Sequence, residues 1–393
     1  MIPFEEALTL ILQHTWRLPS ETVPLTAAWG RVLAETVYAD RDIPPFPKST
    51  VDGYAARAAD LPGPLRVVGT VPAGHRFPRS LAPGECVRIM TGAPVPEGAD
   101  VVLMKEEITE HDAEHVRWVG HDAKSNISPQ GEDVRAGDRV LPAGCILDAA
   151  HVAVLAGVGH VTPRVARKPR VAVLATGTEL VPPDGVPEPY QIRNSNSVQL
   201  AAQALGCGAE VTDLGQVPDE RDNLRNVLQT ALSLYDVVLT SGGVSVGDFD
   251  FLPEVLAACG MQIVIRRVAM QPGKPMVFAV GAHRACFAFS GNPFSSFLQF
   301  ELFGKPFLRA LMGAEHRPVV IPLPISETRR RKHTERTAWF PVKIEEKKAV
   351  PLEYHGSAHI HAIPYADGLT YFPQGVAELA AGTPVPIHLL RCP

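Results

Sequence analysis

"VVLTSGGVSVGDFD" runs from Val237 to Asp250. Its first residues are apolar and mostly β-branched, the mark of a buried strand. The run breaks at Ser241-Gly242-Gly243, and two carboxylates, Asp248 and Asp250, follow. Its neighbours decide the fold. "PRVAVLATGTEL" (169–180) reads as an earlier buried strand and turn, and "SNSVQLAAQALGCG" as a helix that stops at glycine. "AEVTDLGQV" is a strand and "ERDNLRNVLQTALSLY" a helix. Strand and helix alternate, which predicts an α/β domain with a parallel sheet wrapped by helices. "FLPEVLAACG", "MQIVIRRVAM" and "SSFLQFELFGKPFLRALMG" continue it to about 313.

Upstream, Phe4, Ala7, Leu8, Ile11 and Leu12 fall at helical spacing. A second helical stretch is expected over 27–37. "DRDIPPFPKSTVDGYA" cannot be helical at its proline-rich start. From about 61 to 140, "LRVVG", "ECVRIM", "DVVLM" and "HVRWVG" are short apolar runs between turns, a small β-domain, and "AAHVAVLAGVG" returns to helix. Beyond 317, "VVIPLP", "AWFPVKI", "LTYFP" and "TPVPIHLL" predict a terminal β-barrel. The expected division is a helical or extended linking domain at 1–45 with 140–168, a small β-domain at 46–139, the α/β domain at 169–315 and the barrel at 316–393.

The 393 residues exceed one ordinary core. A 46% hydrophobic and 20% charged composition is that of a globular protein, and 37 prolines spread along the chain fit many short strands and loops. A net charge of −5 gives no global attraction for nucleic acid. The longest basic run, Arg329-Arg330-Arg331-Lys332-His333, reads as a solvated loop between strands. No secretory signal and no membrane span are expected, since no basic start leads into an apolar core and no apolar run nears the ~20 residues of a spanning helix. Six cysteines without a CxxC pair predict reduced thiols in a cytoplasmic protein.

Ligands of a doubly wound sheet bind outside the carboxyl ends of its strands. Three stretches fall there: "ATGTEL" (175–180), "TSGGVSVGDFD" (240–250) and "FSGNPFSS" (289–296). Backbone amides in glycine turns and at helix starts favour anions, so Ser241, Gly242, Gly243, Ser245, Gly291, Asn292 and Ser295 suit a phosphate. Glu179, Asp219, Asp248 and Asp250 lie just past strand ends. Carboxylates beside a phosphate call for a divalent cation, and Mg²⁺ takes carboxylates, waters and substrate phosphates; any one of them alone also suits a helix cap or the surface. Arg266, Arg267 and Lys274 in "QPGKP" suggest a basic wall opposite. Far upstream, "KSTVDGYA" (48–55), "RIMTGAPVPEGADVVLMKEE" (88–107) and "NISPQGEDVRAG" (126–137) are polar turns that read singly as structure and together as the wall of a site.

"PPFPKSTVDGYA", "RIMTGAPVPEGADVVLMKEE", "GEDVRAGD", "VAVLATGTEL", "IRNSNS", "TSGGVSVGDFD", "QPGKP" and "SGNPFSS" stand in one order along essentially the whole chain. In this the sequence resembles the molybdopterin molybdenumtransferase family, the molybdenum insertases that include the gephyrin E-domain. The resemblance implies insertion of molybdate, or tungstate, into adenylylated molybdopterin with Mg²⁺ and release of AMP. It also implies a homodimer whose cleft lies between the sheet domain of one subunit and the small β-domain of the other. An upstream adenylyltransferase and acceptor molybdoenzymes are the partners it suggests.

By the same resemblance Asp52, Thr91 and Asp133 match functional positions of the β-domain. Glu179, Asp219 and Asp250 match acidic positions of the sheet domain, and Lys274 and Pro293 match loop positions. The implied roles give the Ser241–Gly243 and Gly291–Ser295 loops the pterin phosphate end. Asp219 and Asp250 orient the pterin or a metal, Glu179 ligates Mg²⁺ or polarises water, and Arg267 and Lys274 attract molybdate or phosphate. The chain departs from the family at Thr178 (commonly Asp), Ser290 (commonly Pro), Gln271 and Ser128 (often basic) and Arg267 (commonly Lys). It also carries His359, His361 and Asp367 where Ser and Asn are usual. The alternative is a non-catalytic scaffold or cofactor-delivery protein, which could do without the acidic set that this chain keeps. A nucleotide-processing enzyme sharing only the sheet domain leaves "STVDGYA" and "MTGAP" unexplained.

Overall fold

The computed structural model describes residues 1–218, 220–244 and 251–390. They form two compact units, one of residues 1–34, 144–147 and 164–393 and the other of 35–143 and 148–163. The linking segment read at 1–45 and 140–168 is therefore divided. Helix α1 (Phe4–Gln13) joins the first unit and helix α2 (Ala149–Gly157) the second. The helix expected over 27–37 does not form. Only a 3₁₀ turn at Leu25–Ala27 appears, and the chain then runs extended, with Val32 bridged to Ile146 and Leu33 to Val165. Both side chains are buried, and pairing on two sides of the segment overrides its helical propensity.

The first unit is built on a six-stranded sheet: β1 (Arg170–Thr176), β2 (Glu210–Val217), β3 (Val237–Ser241), β4 (Gln262–Arg267), β5 (Pro275–Gly281) and β6 (Arg284–Phe289). The order is β2-β1-β3-β6-β5-β4; the first four strands are parallel and the last two pairings antiparallel. Helices α3 (Asn196–Gly206), α4 (Arg221–Leu234), α5 (Leu252–Ala258), α6 (Pro293–Gln299) and α7 (Lys305–Met312) cover it. Alternate residues face opposite ways. Val171, Val173, Val237, Leu239 and Phe287 pack with α1, α3, α6 and α7, whereas Ala172, Leu174, Val238 and Ala288 pack with α4 and α5. Burial on both faces is why these strands read as unbroken apolar runs.

The parallel strands β1, β3 and β6 end on one sheet edge. Arg267 at the end of β4 pairs with Pro275 at the start of β5, so the 268–274 loop reaches that edge too. Met270–Gln271 in this loop pairs with strand Thr337–Glu345 of the C-terminal sheet. That sheet continues through Gly368–Phe372, Pro384–Leu389 and Val320–Pro324, with Lys348–Pro351 on the other side of Thr337–Glu345. A bridge from Ile325 to Ala349 joins its two ends, giving the expected barrel. The basic run is not a solvated loop throughout. Arg329–Arg330 pairs with Glu378–Leu379, and the Arg331 guanidinium donates to the carbonyls of Val376 (2.8 Å) and Pro373 (2.6 Å). Its planar fork suits carbonyls converging from a turn.

The second unit holds a six-stranded sheet in the order Val101–Met104, Gly53–Ala56, Glu85–Ile89, Leu65–Val71, His115–Trp118, Ile108–Glu110. Val71, Val87, Ile89 and Val102 fill one face; Leu65, Cys86, Val101 and Leu103 fill the other. Gly53 is required, because a Cβ there would lie 1.8 Å from the Leu103 carbonyl oxygen.

Candidate active site

The loops after β1, β3 and β6 and the start of α3 enclose a cleft of about 170 Å³. Its lining includes Thr176, Gly177, Glu179, Asn196, Ser241 and Gly242. Gly242 and Gly243 have φ of +94° and +69°, a left-handed pair that turns the chain sharply after β3. A Cβ on Gly242 would lie 2.5 Å from the Thr176 carbonyl oxygen, so backbone packs on backbone here.

Asn196 fixes the cleft. Its side-chain amide donates to the Ser241 hydroxyl (2.8 Å) and the Gly291 carbonyl (2.7 Å), tying the ends of β3 and β6 to the head of α3. Asn194 accepts from the Ser197 amide (3.2 Å) and donates to its hydroxyl (2.9 Å), closing the start of the same helix. Gln299 is a second crosspiece. It is fully buried, accepts from the Ser290 amide (2.9 Å) and donates to the carbonyls of Gly273 (2.7 Å) and Pro275 (2.8 Å). Neither residue was singled out from the sequence. A glutamine set between Leu298 and Phe300 in "SSFLQFEL" and the asparagines of "IRNSNS" were the available signals.

The anion-donor set is smaller than the glycine loops suggested. The Gly242 amide donates to the Phe289 carbonyl (3.1 Å), and the Phe294 and Ser295 amides to the Ser357 carbonyl (3.0 and 3.3 Å). The Asn292 amide donates to the Ser290 hydroxyl (3.3 Å). Gly291 and Asn292 are exposed, Pro293 half-buried and Ser295 buried. Glu179 is exposed and turns back over Gly177, where a Cβ would lie 2.7 Å from its carboxylate. Arg267 and Lys274 are exposed on the same sheet edge, beyond β6. Asp219, Ser245, Asp248 and Asp250 lie outside the described residues.

In the second unit, Asp52 and Thr91 meet. The Thr91 amide and hydroxyl both donate to Asp52 Oδ1, each at 2.8 Å. These two bonds, the amide first, hold the Asp52 carboxyl below the usual carboxylate range. A pocket of about 220 Å³ beside them is lined by Asp52, Arg88 and Lys105. Asp133 is exposed in another turn, its amide donating to the Ile43 carbonyl (3.0 Å). Among the departures, Ser128 donates to the Glu132 carboxylate, and Asp367 accepts from the Ile344 amide (2.7 Å), a barrel contact. His359 meets the His355 ring edge-on at 5.2 Å.

Comparison with known proteins covers the whole chain. Residues 2–159 match the MoeA N-terminal region (domain I and II), 172–310 a probable molybdopterin binding domain, and 325–390 the MoeA C-terminal region (domain IV). A Staphylococcus epidermidis protein named molybdopterin molybdenumtransferase is 36% identical over 403 residues, covering 99% of this chain and 95% of the relative. A Staphylococcus aureus protein of the same name is 36% identical over 400 residues with the same coverage. The solved molybdopterin biosynthesis moeA protein from Pyrococcus horikoshii OT3 superposes with a TM-score of 0.86 at 29% identity, over 99% of this chain and 100% of that one.

Proposed function

This chain belongs to the molybdopterin molybdenumtransferase family, and from that premise we propose that it inserts molybdenum into adenylylated molybdopterin in molybdenum cofactor biosynthesis, with release of AMP. The observation that carries the reading is the polar cleft at the ends of β1, β3 and β6, which falls within the segment matching the molybdopterin binding domain. Its walls are braced by Asn196 and Gln299, so the loops are held in place before substrate arrives. Arg267 and Lys274 supply positive charge on the same edge for molybdate and for the phosphoanhydride.

Mg²⁺ fits the donor set in one way. Among the described residues no three His, Cys, Asp or Glu side chains cluster for a metal, but Mg²⁺ is commonly held by one or two carboxylates with substrate phosphates. Among the described residues Glu179 is the carboxylate lining the cleft and would hold the ion, whose chemistry there would be neutralising charge on the anhydride. Glu179 also stands to orient a water by accepting its proton-bearing hydrogen bond. A homodimer, an upstream adenylyltransferase and acceptor molybdoenzymes complete the proposed setting. Among the described residues no helix is long and apolar enough to cross a membrane.

The test is AMP release from adenylylated molybdopterin by the purified chain, with Mg²⁺ and with molybdate or tungstate added separately. Anion-dependent release supports the insertase and ranks the two anions. Pterin binding without AMP release in either arm overturns it in favour of a scaffold or delivery role.

A further inference from the structure

Among the described residues, the cleft at the ends of β1, β3 and β6 is lined by two charged side chains, Glu179 and Arg193. Both are exposed, so a solute reaches them. The backbone holds them on neighbouring segments. Leu180–Val181 pairs in parallel with Ile192–Arg193, with Val181 opposite Arg193, and the Ile192 amide donates to the Glu179 carbonyl at 2.9 Å. Yet among the described residues no ion pair joins the carboxylate to the guanidinium, and neither has another charged partner. Glu179 folds back over Gly177. Arg193 donates from Nε to the Gly185 carbonyl at 3.0 Å. That bond restrains the guanidinium and leaves both terminal nitrogens without a partner among the described residues. Gly243 and Gly291 line the same cleft, and their amides likewise have no partner among the described residues.

An exposed acid and base gain little by pairing with each other, so each keeps its charge for a ligand of opposite sign. An ionised phosphate that faced Glu179 alone would meet like charge. A phosphoanhydride carrying a divalent cation suits both groups, with its oxygens toward the guanidinium and its metal toward the carboxylate. The planar fork of an arginine bonds two such oxygens at once, and these charge-assisted bonds are among the strong ones. A lysine, a point charge on a flexible stem, could not hold the Gly185 carbonyl and two oxygens in one fixed geometry. The volume of about 170 Å³ is well below the roughly 300–1,000 Å³ of sites that bury a whole drug-sized ligand, so the cleft takes one part of the substrate and not all of it.

We propose that Arg193 is a further substrate-binding residue of the cleft. Its terminal guanidinium nitrogens donate to oxygens of the phosphoanhydride, while Glu179 holds the cation bound to the same group. This rests on the insertase reading. It adds a cation inside the cleft itself, whereas Arg267 and Lys274 lie beyond β6.

The test titrates inorganic pyrophosphate into the full chain calorimetrically, with and without Mg²⁺. The wild-type chain should bind it, and more tightly with Mg²⁺. Arg193→Gln should weaken binding at least about tenfold in both conditions while keeping the wild-type ratio between them. Glu179→Gln should lose that ratio and keep, or raise, the metal-free affinity. Arg193→Lys should fall between wild type and Arg193→Gln. A role confined to holding Gly185 gives another pattern. Loosening the ladder at 180–193 would displace Glu179, so the Mg²⁺ ratio would fall together with the affinity, and Arg193→Lys would do no better than Arg193→Gln. That pattern, wild-type affinity in Arg193→Gln, or no pyrophosphate binding by the wild-type chain overturns the proposal. Pyrophosphate binding does not involve AMP release, so the role of Arg193 can fail with insertion intact or hold without it.

Discussion

The side-chain amide of Asn196 donates to the Ser241 hydroxyl at 2.8 Å, joining the first residue of α3 to the last residue of β3. The same amide reaches the Gly291 carbonyl, so one nitrogen holds two strand ends. Asn196→Leu removes both bonds and leaves the buried Ser241 hydroxyl without its donor, a penalty of about 1–3 kcal/mol. Thermal unfolding should show a melting temperature lower by several degrees, and pterin affinity should fall with it. An unchanged melting temperature would show that the crosspiece carries no stability.

Gly242→Ala meets two obstacles, a φ of +94° and a Cβ 2.5 Å from the Thr176 carbonyl oxygen. Left-handed backbone alone costs a non-glycine residue about 1–2 kcal/mol. Gly375→Ala is the control, with φ +82° and nothing within 4 Å of the added carbon. Gly242→Ala should destabilise the chain clearly more than Gly375→Ala in urea titrations, and AMP release should be lost only in the former.

Glu179 is exposed, and among the described residues no hydrogen bond to its carboxylate anchors a neighbouring element. Glu179→Gln should therefore keep the wild-type melting temperature and lose most AMP release. Wild-type turnover in this variant removes the carboxylate from the mechanism.

Glu85 is 6% exposed and held at a pKa of about 2, first by the Arg79 guanidinium, then by the Ala82 amide and Arg66. A folded pKa below the unfolded value means stability that is complete above the usual glutamate range near 4.5 and is lost as pH falls toward 2. Acid titration should unfold the second unit over that window, and Glu85→Gln should flatten its pH dependence. An equally steep curve in the variant would assign the transition to other groups.

Burial pushes the Cys86 thiol up to about 12 and the Cys207 thiol to about 11, and raises Cys286 as well. Cys86, Cys207, Cys259 and Cys286 are free thiols. Native alkylation at neutral pH followed by peptide mapping should leave these three unmodified, because the thiolate is the reactive form. Rapid modification of Cys86 would mean that the small sheet opens readily.

The sheet and its edge were legible in the sequence because β1 and β3 are buried on both faces and must read as continuous apolar runs. The extended course of 30–34 was not, because its pairing partners, Ile146 and Val165, lie more than a hundred residues away. Nor was the role of Arg331, two of whose carbonyl partners, Pro373 and Val376, lie more than forty residues away.

By itself the sequence determined the alternation of strands and helices, the glycine turns at the strand ends and the family motifs, since these depend on local periodicity and backbone freedom. Only the tertiary structure decided which hydrogen-bonding groups around the cleft are paired with one another. A glycine amide at a strand end looks like an anion donor until that of Gly242 is seen pairing with Phe289, and the start of α6 looks like one until the Phe294 and Ser295 amides are seen pairing with Ser357. An asparagine looks like a capping residue until its nitrogen is seen bound to both Ser241 and Gly291. Hydrogen-bond satisfaction depends on partners brought together by the fold, and no local stretch of sequence contains both halves of such a bond.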